Sequence, residues 1–392
     1  MTTTFAVRVV ARAGSADPGA PLVVLFHGRG GDERDIIGLA EHLPQNAAYA
    51  AVRAPIAEGD GFAWFANRGI GRPLPESLAQ TMAAFRSWLD AEAPAGRPVV
   101  LVGFSGGAAF AGGLLLADSQ RYAAAAILYG TLPFEAGVPV EPARLFGTPV
   151  FIGQGADDMV IPRDLLDRTW DYVNNDSGAS AWSTREPGGH QITVSMRREL
   201  AGWMAARLDF VARRGQTVVS DEHPDWPTLP EGTLPARRGP RPAVSTLTPQ
   251  QQQTQNAPSA LQERVFEFAS SLPGVTGAPS RISVPGARGF TIEPPSGATP
   301  DAYVVHAVGE FAHLHPASDG SMHLALPVDL AADVIRQGWA VAHPLAGIRV
   351  SPGLVMVYGP RDEDELTTVT GILAASHVYA TGSESPPTRH TG

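Results

Sequence analysis

The sequence predicts an α/β protein: a doubly wound, mostly parallel sheet over the first part of the chain and a smaller α+β unit after it. Three observations carry this. Short apolar runs recur at Leu22–Phe26, Tyr49–Val52, Val99–Val102, Ala125–Tyr129 and Val150–Ile152. Stretches with helical spacing lie between them, notably Leu78–Asp90, Ala108–Leu116, Arg163–Val173 and Met196–Val211. Continuous apolar strands alternating with helices are the pattern of a parallel sheet covered on both faces. Ligand chemistry in such a sheet sits at the carboxyl ends of the strands. The third observation is a change of composition after residue 213.

Residues 214–259 hold eight prolines, from Pro224 to Pro258, and the run Gln250–Gln253. Such a stretch has little apolar surface to offset its ordering entropy, so it reads as a Pro/Gln-rich linker between a first domain, 1–213, and a second, 260–382. Trp226 is either an anchor onto a domain or an exposed linker aromatic. The second domain has an amphipathic helix at Leu261–Leu272 and strands at Arg281–Val284, Phe290–Glu293 and Tyr303–Ala307. Helices at Val328–Arg336 and Asp364–Ala375 follow, with further strand near Trp339–Ala342 and Gly353–Tyr358. Residues 383–392 read as a flexible tail. At the other end, Phe5, Val7 and Val9 alternate as a first strand would. Met1–Gly14 lacks the features of a signal peptide, so a cytoplasmic location is expected.

Composition removes several function classes. The chain has no cysteine, which excludes disulfides, thiolate catalysis and zinc–thiolate sites. All 29 basic residues are arginine, which excludes a Schiff-base lysine and the P-loop lysine. The formal charge is −10. With no basic stripe beyond the short cluster Arg237, Arg238 and Arg241, nucleic acid is not expected as a partner. No apolar run approaches the roughly 20 residues that span a bilayer.

The strongest motif is Gly103-Phe104-Ser105-Gly106-Gly107, preceded by the strand Val99–Val102 and followed by Ala108–Leu116. This is G-x-S-x-G in the strand–turn–helix setting that a nucleophile requires: the serine is exposed on a strained turn, and the next N–H, of Gly106, points at a developing oxyanion. The alternative is a structural Gly-rich turn. A second element, His27-Gly28-Arg29-Gly30-Gly31, directly follows a strand. A His-Gly turn there supplies the other oxyanion donor from the following residue, the N–H of Arg29. The competing reading, a phosphate-cradling loop, lacks its G-x-G-x-x-G. A third element follows Val150–Ile152 and carries adjacent carboxylates, Asp157 and Asp158, of which one can orient an imidazole. A fourth, Glu186-Pro-Gly-Gly-His190, puts His190 on a glycine loop before a helix, where a helix-capping role is the alternative. The order Ser, Asp, His is that of α/β-hydrolases. The loop Glu58–Pro73 offers Phe62, Trp64 and Phe65 either as substrate-contacting aromatics, Phe62 and Trp64 foremost, or as core anchors.

These residues carry a resemblance. Residues 20 to about 210 are similar to the phospholipase/carboxylesterase family of small α/β-hydrolases at His27-Gly28, Gly103-Phe-Ser105, Gly155-x-x-Asp158 with Val160-Ile-Pro162, and Gly189-His190. The resemblance implies that Asp158, above Asp157, is the triad acid. It also shows a departure: the family's turn usually reads G-F-S-Q-G-G, and here Gly106 stands in place of the Gln. The implied activity is hydrolysis of a small carboxylic ester through an acyl-enzyme on Ser105, with Asp158 and His190, and with no metal or cofactor in this domain. Alternatives are an acyl thioesterase or lysophospholipase, which use the same triad. From another class comes a non-catalytic hydrolase-fold scaffold, with the C-terminal domain carrying the activity.

Seven of the eleven histidines lie beyond residue 300. If His313 and His315 share a strand they face the same side, and with His323 or Glu310 they make a three-ligand metal set. The alternative is a polar face of hydrogen-bonded histidines. The run Gly309-Glu-Phe-Ala-His-Leu-His-Pro316, with Asp319-Gly-Ser-Met-His323, Gly338-Trp339, His343-Pro344 and Tyr358-Gly-Pro-Arg361, resembles the small luciferase-domain family over about Ile282–Tyr379. The second domain is then a second enzyme, a binding module or a stability partner.

Overall fold

The computed structural model describes residues 7, 9–94, 96–220, 223–246 and 248–383. The chain divides into two compact units, Met1–Val173 with Ala181–Gln216, and Asn174–Ser180 with Thr217–Gly392. Phe5 and the expected tail beyond Ser383 lie outside the described residues.

The first unit is built on strands β1 (Val10–Gly14), β2 (Leu22–Phe26) and β3 (Ala48–Val52). Two short hairpins follow, β4 (Ile56–Glu58) with β5 (Gly61–Ala63) and β6 (Asn67–Gly69) with β7 (Arg72–Pro73). Strands β8 (Val99–Phe104), β9 (Ala124–Leu128), β10 (Pro149–Gly155) and β11 (Ser180–Glu186) complete it. Seven of these form one sheet in the order β1-β3-β2-β8-β9-β10-β11. The pairs β2–β3, β2–β8, β8–β9 and β9–β10 are parallel, and β1 is antiparallel to β3. Helices α1 (Glu33–Ile37), α2 (Pro75–Glu92), α3 (Gly106–Ala117), α4 (Arg163–Asp171) and α5 (Val194–Arg214) connect them. β2 and β9 are buried at every position, as strands covered on both faces must be. This is the α/β-hydrolase arrangement. The first strand among the described residues begins at Val10, and the expected alternation from Phe5 to Val9 lies largely outside them. β11, whose polar residues hide its period, was not anticipated.

The second unit contains helix α6 (Ser259–Ser271), strands β12 (Thr276–Pro279), β13 (Arg288–Thr291), β14 (Glu310–Leu314) and β15 (Met322–Ala325), and helix α7 (Val328–Arg336). Strands β16 (Ala340–Ala342) and β17 (Leu354–Val357) and helix α8 (Glu363–Thr381) complete it. Its six-stranded sheet runs β12-β13-β14-β15-β17-β16, antiparallel throughout. β14 pairs with β15 so that His313 lies opposite His323. Two expected strands are absent. At 281–284 the backbone turns instead: Arg281 N–H donates to the Glu310 carboxylate (2.9 Å) and Ser283 N–H to Ser280 Oγ (3.1 Å). At 303–307 the chain bends into a short 3-10 turn at His306–Val308, and the Tyr303 hydroxyl donates to Ala380 O at 2.6 Å.

The segment 214–259 departs from the expected linker. From Thr217 on it belongs to the second unit. Trp226 is fully buried, and its indole N–H donates to Asp333 Oδ2 at 2.9 Å. Gln250 and Gln252 are also buried. Gln252 Oε1 accepts the N–H of Gly359 at 3.0 Å. The composition argument failed because these amides are used as hydrogen-bonding groups inside the unit, where buried polar atoms must find partners.

Candidate active site

Ser105 stands between the last residue of β8 and the first of α3 with φ +55° and ψ −116°. A side chain rarely adopts that region, and here the surroundings enforce it. The glycines around it are dictated by space. A Cβ on Gly103 would lie 2.2 Å from Gly107 O, and one on Gly107 would lie 2.3 Å from Phe26 O. Ser105 N–H donates to Leu128 O at 2.9 Å, tying the turn to β9. The next N–H, of Gly106, heads α3 at the positive end of the helix dipole.

Across from it lies the turn after β2. A Cβ on Gly106 would sit 3.3 Å from the backbone N of Arg29. His27 fixes this turn. Its Nδ1–H donates to Gly28 O (2.7 Å), its Nε2 accepts the N–H of Ala54 (3.1 Å), and its carbonyl accepts the Trp64 indole N–H (2.9 Å). The imidazole is buried, and burial lowers its pKa, so the neutral ring with the proton on Nδ1 is the state these partners select. The Gly28 carbonyl also accepts Gly31 N–H at 3.2 Å.

The turns after β10 and β11 bring in the other two residues. His190 Nε2 is 2.9 Å from Ser105 Oγ, and His190 Nδ1 is 2.8 Å from Asp158 Oδ2. The other oxygen of Asp158 accepts the N–H groups of Val160 (2.9 Å) and Ile161 (3.1 Å), so both oxygens are held. Asp157 points away, and its carboxylate accepts Gly188 N–H at 3.3 Å. The imidazole packs against Phe104, with ring centroids 5.1 Å apart. Tyr129, whose ring meets the imidazole edge-on at 6.3 Å, donates to Glu186 (2.7 Å), which also accepts hydroxyl bonds from Thr193 and Ser195 (both 2.5 Å). Burial pushes the Glu186 carboxyl up, but these three bonds outweigh it and hold it below its usual range.

Ser105, Gly106, Arg29 and His190 open on a cleft of about 470 Å³ whose apolar wall includes Phe65, Ile70, Phe104 and Ile161. The Arg29 guanidinium turns along its edge to Glu58, with Nε to Oε1 at 2.7 Å. Phe62 and Trp64, the expected substrate contacts, do not line this cleft. Trp64 is buried and stacked on Phe110 at 4.5 Å. Phe62 exchanges backbone hydrogen bonds with Gly30 and Gly31, and its ring lies under the Arg53 guanidinium. Both anchor the loop, Phe62 from the half-buried middle of β5 and Trp64 from the core just after it. Phe65, the third candidate aromatic of the loop, lines the cleft together with Ile70.

In the second unit, His313, His315 and His323 are all buried, and one nitrogen from each lies within 4.8 Å of the others. Glu310 is not among these converging groups; its carboxylate holds the far nitrogen of His313, Nδ1, at 2.9 Å. Burial lowers the pKa of His313, and of His323 further, and pushes His343 beside them down to about 4. A cavity of about 220 Å³ opens onto the cluster.

The family model described as Phospholipase/Carboxylesterase matches residues 8–205, and the one described as Luciferase domain matches residues 308–376. The chain belongs to the phospholipase/carboxylesterase family. It is an esterase-type hydrolase that also carries a luciferase domain. The Bacillus subtilis protein MhqD, named as a hydrolase, is 28% identical over 46% of this chain and 91% of its own length. The luciferase of Armillaria ostoyae is 32% identical over 38% of this chain, and that of Armillaria mellea 40% over 20%. The chain spans 61% and 31% of those two luciferases. Among solved structures, a carboxylesterase of Bacillus cereus aligns with a TM-score of 0.46 at 24% identity, over 50% of this chain and 93% of that one. No helix among the described residues is long and apolar enough to cross a membrane.

Sequence reasoning assigned no role to four residues at these sites. Glu186 was legible only as the first letter of the motif that ends at His190, and its partner Tyr129, whose ring meets the imidazole edge-on, only as the end of an apolar strand. Gln250, whose side chain contacts His323, lies in the segment read as linker. Asp319, near the family motif around His323, was legible only as a motif letter and not as a hydrogen-bond partner.

Proposed function

We propose that the first unit of this phospholipase/carboxylesterase-family protein hydrolyses small carboxylic esters through an acyl-enzyme on Ser105. The observation that carries the reading is the unbroken chain from Ser105 Oγ to His190 (2.9 Å) and from His190 to Asp158 (2.8 Å). Ser105 Oγ attacks the ester carbonyl carbon while His190 Nε2 takes its proton. Asp158 holds the Nδ1–H tautomer and stabilises the imidazolium. The N–H groups of Arg29 and Gly106 receive the oxyanion. His190 then returns the proton to the departing alcohol oxygen, the C–O bond breaks, and water repeats the cycle on the acyl-enzyme. These steps use no metal. The cleft volume and its apolar wall support a compact acyl group.

A fluorophosphonate probe tests the nucleophile: Ser105 labels, and Ser105→Ala neither labels nor turns over p-nitrophenyl acetate. Equal labelling of the variant overturns the assignment. A p-nitrophenyl ester series of rising acyl length tests the substrate class. kcat/KM peaks at short chains on this reading, and a peak at long chains moves the assignment to a lipid substrate.

A further inference from the structure

Three clustered, buried histidines of the second unit, His313, His315 and His323, present a contradiction that their own hydrogen bonds create. His313 Nδ1 faces the Glu310 carboxylate at 2.9 Å, so the proton is on Nδ1 and Nε2 carries a lone pair. Glu310 is held as the carboxylate, because Arg281 N–H and the Ser280 hydroxyl also donate to it. His315 Nδ1 faces Asp319 Oδ2 at 2.7 Å, and Ser321 donates twice to the other oxygen of Asp319, so here too Nε2 carries a lone pair. For His323 the partner is Gln250. The Gln250 amide nitrogen donates to Ala342 O at 3.1 Å, which fixes the flip of the amide and turns Oε1 to His323 Nε2 at 3.0 Å. His323 therefore donates from Nε2, and its lone pair is on Nδ1.

The three lone-pair nitrogens are the ones that converge. His323 Nδ1 is 3.2 Å from His313 Nε2 and 3.1 Å from His315 Nε2. No proton remains on any of them to make these contacts hydrogen bonds. One added proton bridges two nitrogens and leaves the third facing a lone pair. A metal ion satisfies all three. Nitrogens bound at about 2.0–2.1 Å lie roughly 3.3 Å apart at a tetrahedral angle and about 2.9 Å apart when cis in an octahedron, and the two observed distances fall between these values. The surrounding hydrogen bonds have the form such sites take. Each ligating imidazole passes its other N–H to a carboxylate or a carbonyl oxygen, which sets the tautomer and the ring orientation.

We infer that His313, His315 and His323 bind one divalent first-row transition-metal ion, with Gln250, Glu310 and Asp319 as the residues that position them. Three neutral imidazoles leave the ion's full double charge and at least one open coordination position. That position faces the 220 Å³ cavity, whose wall includes Pro249, Val284, Val304, Val350 and Leu354. His343 also lines the cavity. Its Nδ1 accepts Leu345 N–H at 3.1 Å, which leaves Nε2–H as the ring's remaining donor. An apolar molecule with one anionic oxygen suits this combination: the oxygen on the metal, beside the His343 N–H, and the apolar body against the aliphatic wall. This inference is independent of the esterase reading, which concerns the other unit.

The test uses the full-length, tag-free chain, stripped with a chelator, dialysed and exposed separately to Zn²⁺, Co²⁺ and, without oxygen, Fe²⁺. Mass-spectrometric metal analysis is expected to find one tightly held ion per chain for at least one of the three. The Co²⁺ form should show visible ligand-field bands. Ser105→Ala should retain the ion, and His315→Ala and His323→Ala should lose it. If either histidine variant melts before it can be measured, Gln250→Leu decides: loss of the tautomer-setting partner weakens affinity about 10–100-fold. A chain that retains none of the three ions overturns the inference. So does a folded histidine variant that keeps the ion, or an unchanged affinity in Gln250→Leu.

Discussion

Asp157 and Asp158 are neighbours with separate partners: Asp158 Oδ2 lies 2.8 Å from His190 Nδ1, while the Asp157 carboxylate accepts Gly188 N–H at 3.3 Å. One carboxylate meets the imidazole and the other ties down the loop that carries it. Asp158→Asn keeps the shape but turns a donor amide or a weaker acceptor toward Nδ1–H, so the wrong tautomer is favoured. A drop in kcat of roughly 10³–10⁴ is expected. Asp157→Asn retains an oxygen for Gly188 N–H and should cost less than about 10-fold. Steady-state kinetics on p-nitrophenyl acetate compares the two. Equal losses would mean that the carboxylates share the work.

The glycines of the serine turn should separate by position. Gly103→Ala and Gly107→Ala place a Cβ against backbone oxygens at 2.2 Å and 2.3 Å, and backbone cannot rotate away as a side chain can. Each is expected to destabilise the first unit by about 3–5 kcal/mol. A Cβ on Gly106 meets Arg29 N at 3.3 Å, a contact that an adjustment of a few tenths of an ångström relieves. Gly106→Ala should melt within a few degrees of the parent chain and raise KM more than it lowers kcat. Thermal melts followed by circular dichroism, with kinetics on the folded variant, check this. A Gly103→Ala chain of parental stability would contradict the packing described.

Much of this site was legible because the chemistry constrains the letters. A serine on a strained turn needs glycine on both sides, so Gly103-Phe-Ser105-Gly-Gly107 shows in one dimension. The choice of Asp158 came from resemblance, since two adjacent carboxylates look alike until their directions are known. Phe62, Trp64 and Phe65 could not be sorted between cleft and core, because an aromatic in a long loop gives no period from which to read a side, and the fold put Phe65, with Ile70, on the cleft. Gln250 was invisible for a different reason. It stands 73 residues from His323, in a stretch whose composition resembles a linker, and only the tertiary fold joins them.

His27 gives the pH dependence of the first unit a specific source. Burial lowers its pKa in the folded chain, and the unfolded chain titrates near the ordinary histidine value of about 6.5. Above that value both states are neutral and the stability is complete. As pH falls below about 6.5 the unfolded state takes up a proton that the native state refuses, so stability declines until the folded value is reached. His27→Gln removes this titration and keeps an acceptor for Ala54 N–H. Urea titrations from pH 8 to pH 5 should show a shallower decline for the variant, by about one proton in the linkage slope. Parallel slopes would remove His27 from the account.

Trp226 tests whether the Pro/Gln-rich segment is part of a folded unit. Its side chain is fully buried and its indole N–H is bonded to Asp333 Oδ2 at 2.9 Å, where Arg336 also donates to the other oxygen at 3.2 Å. Trp226→Ala leaves a large void and strips one donor from a buried carboxylate. The two effects together are expected to destabilise the second unit by about 3–5 kcal/mol. Trp226→Phe keeps most of the volume and should cost less, with the difference reporting the hydrogen bond. Denaturant unfolding monitored by far-ultraviolet circular dichroism resolves the second unit's transition from the first's when the two differ in midpoint, and esterase activity marks the first. A linker aromatic would shift neither transition. A shift of the second alone is the outcome that the burial of Trp226 requires.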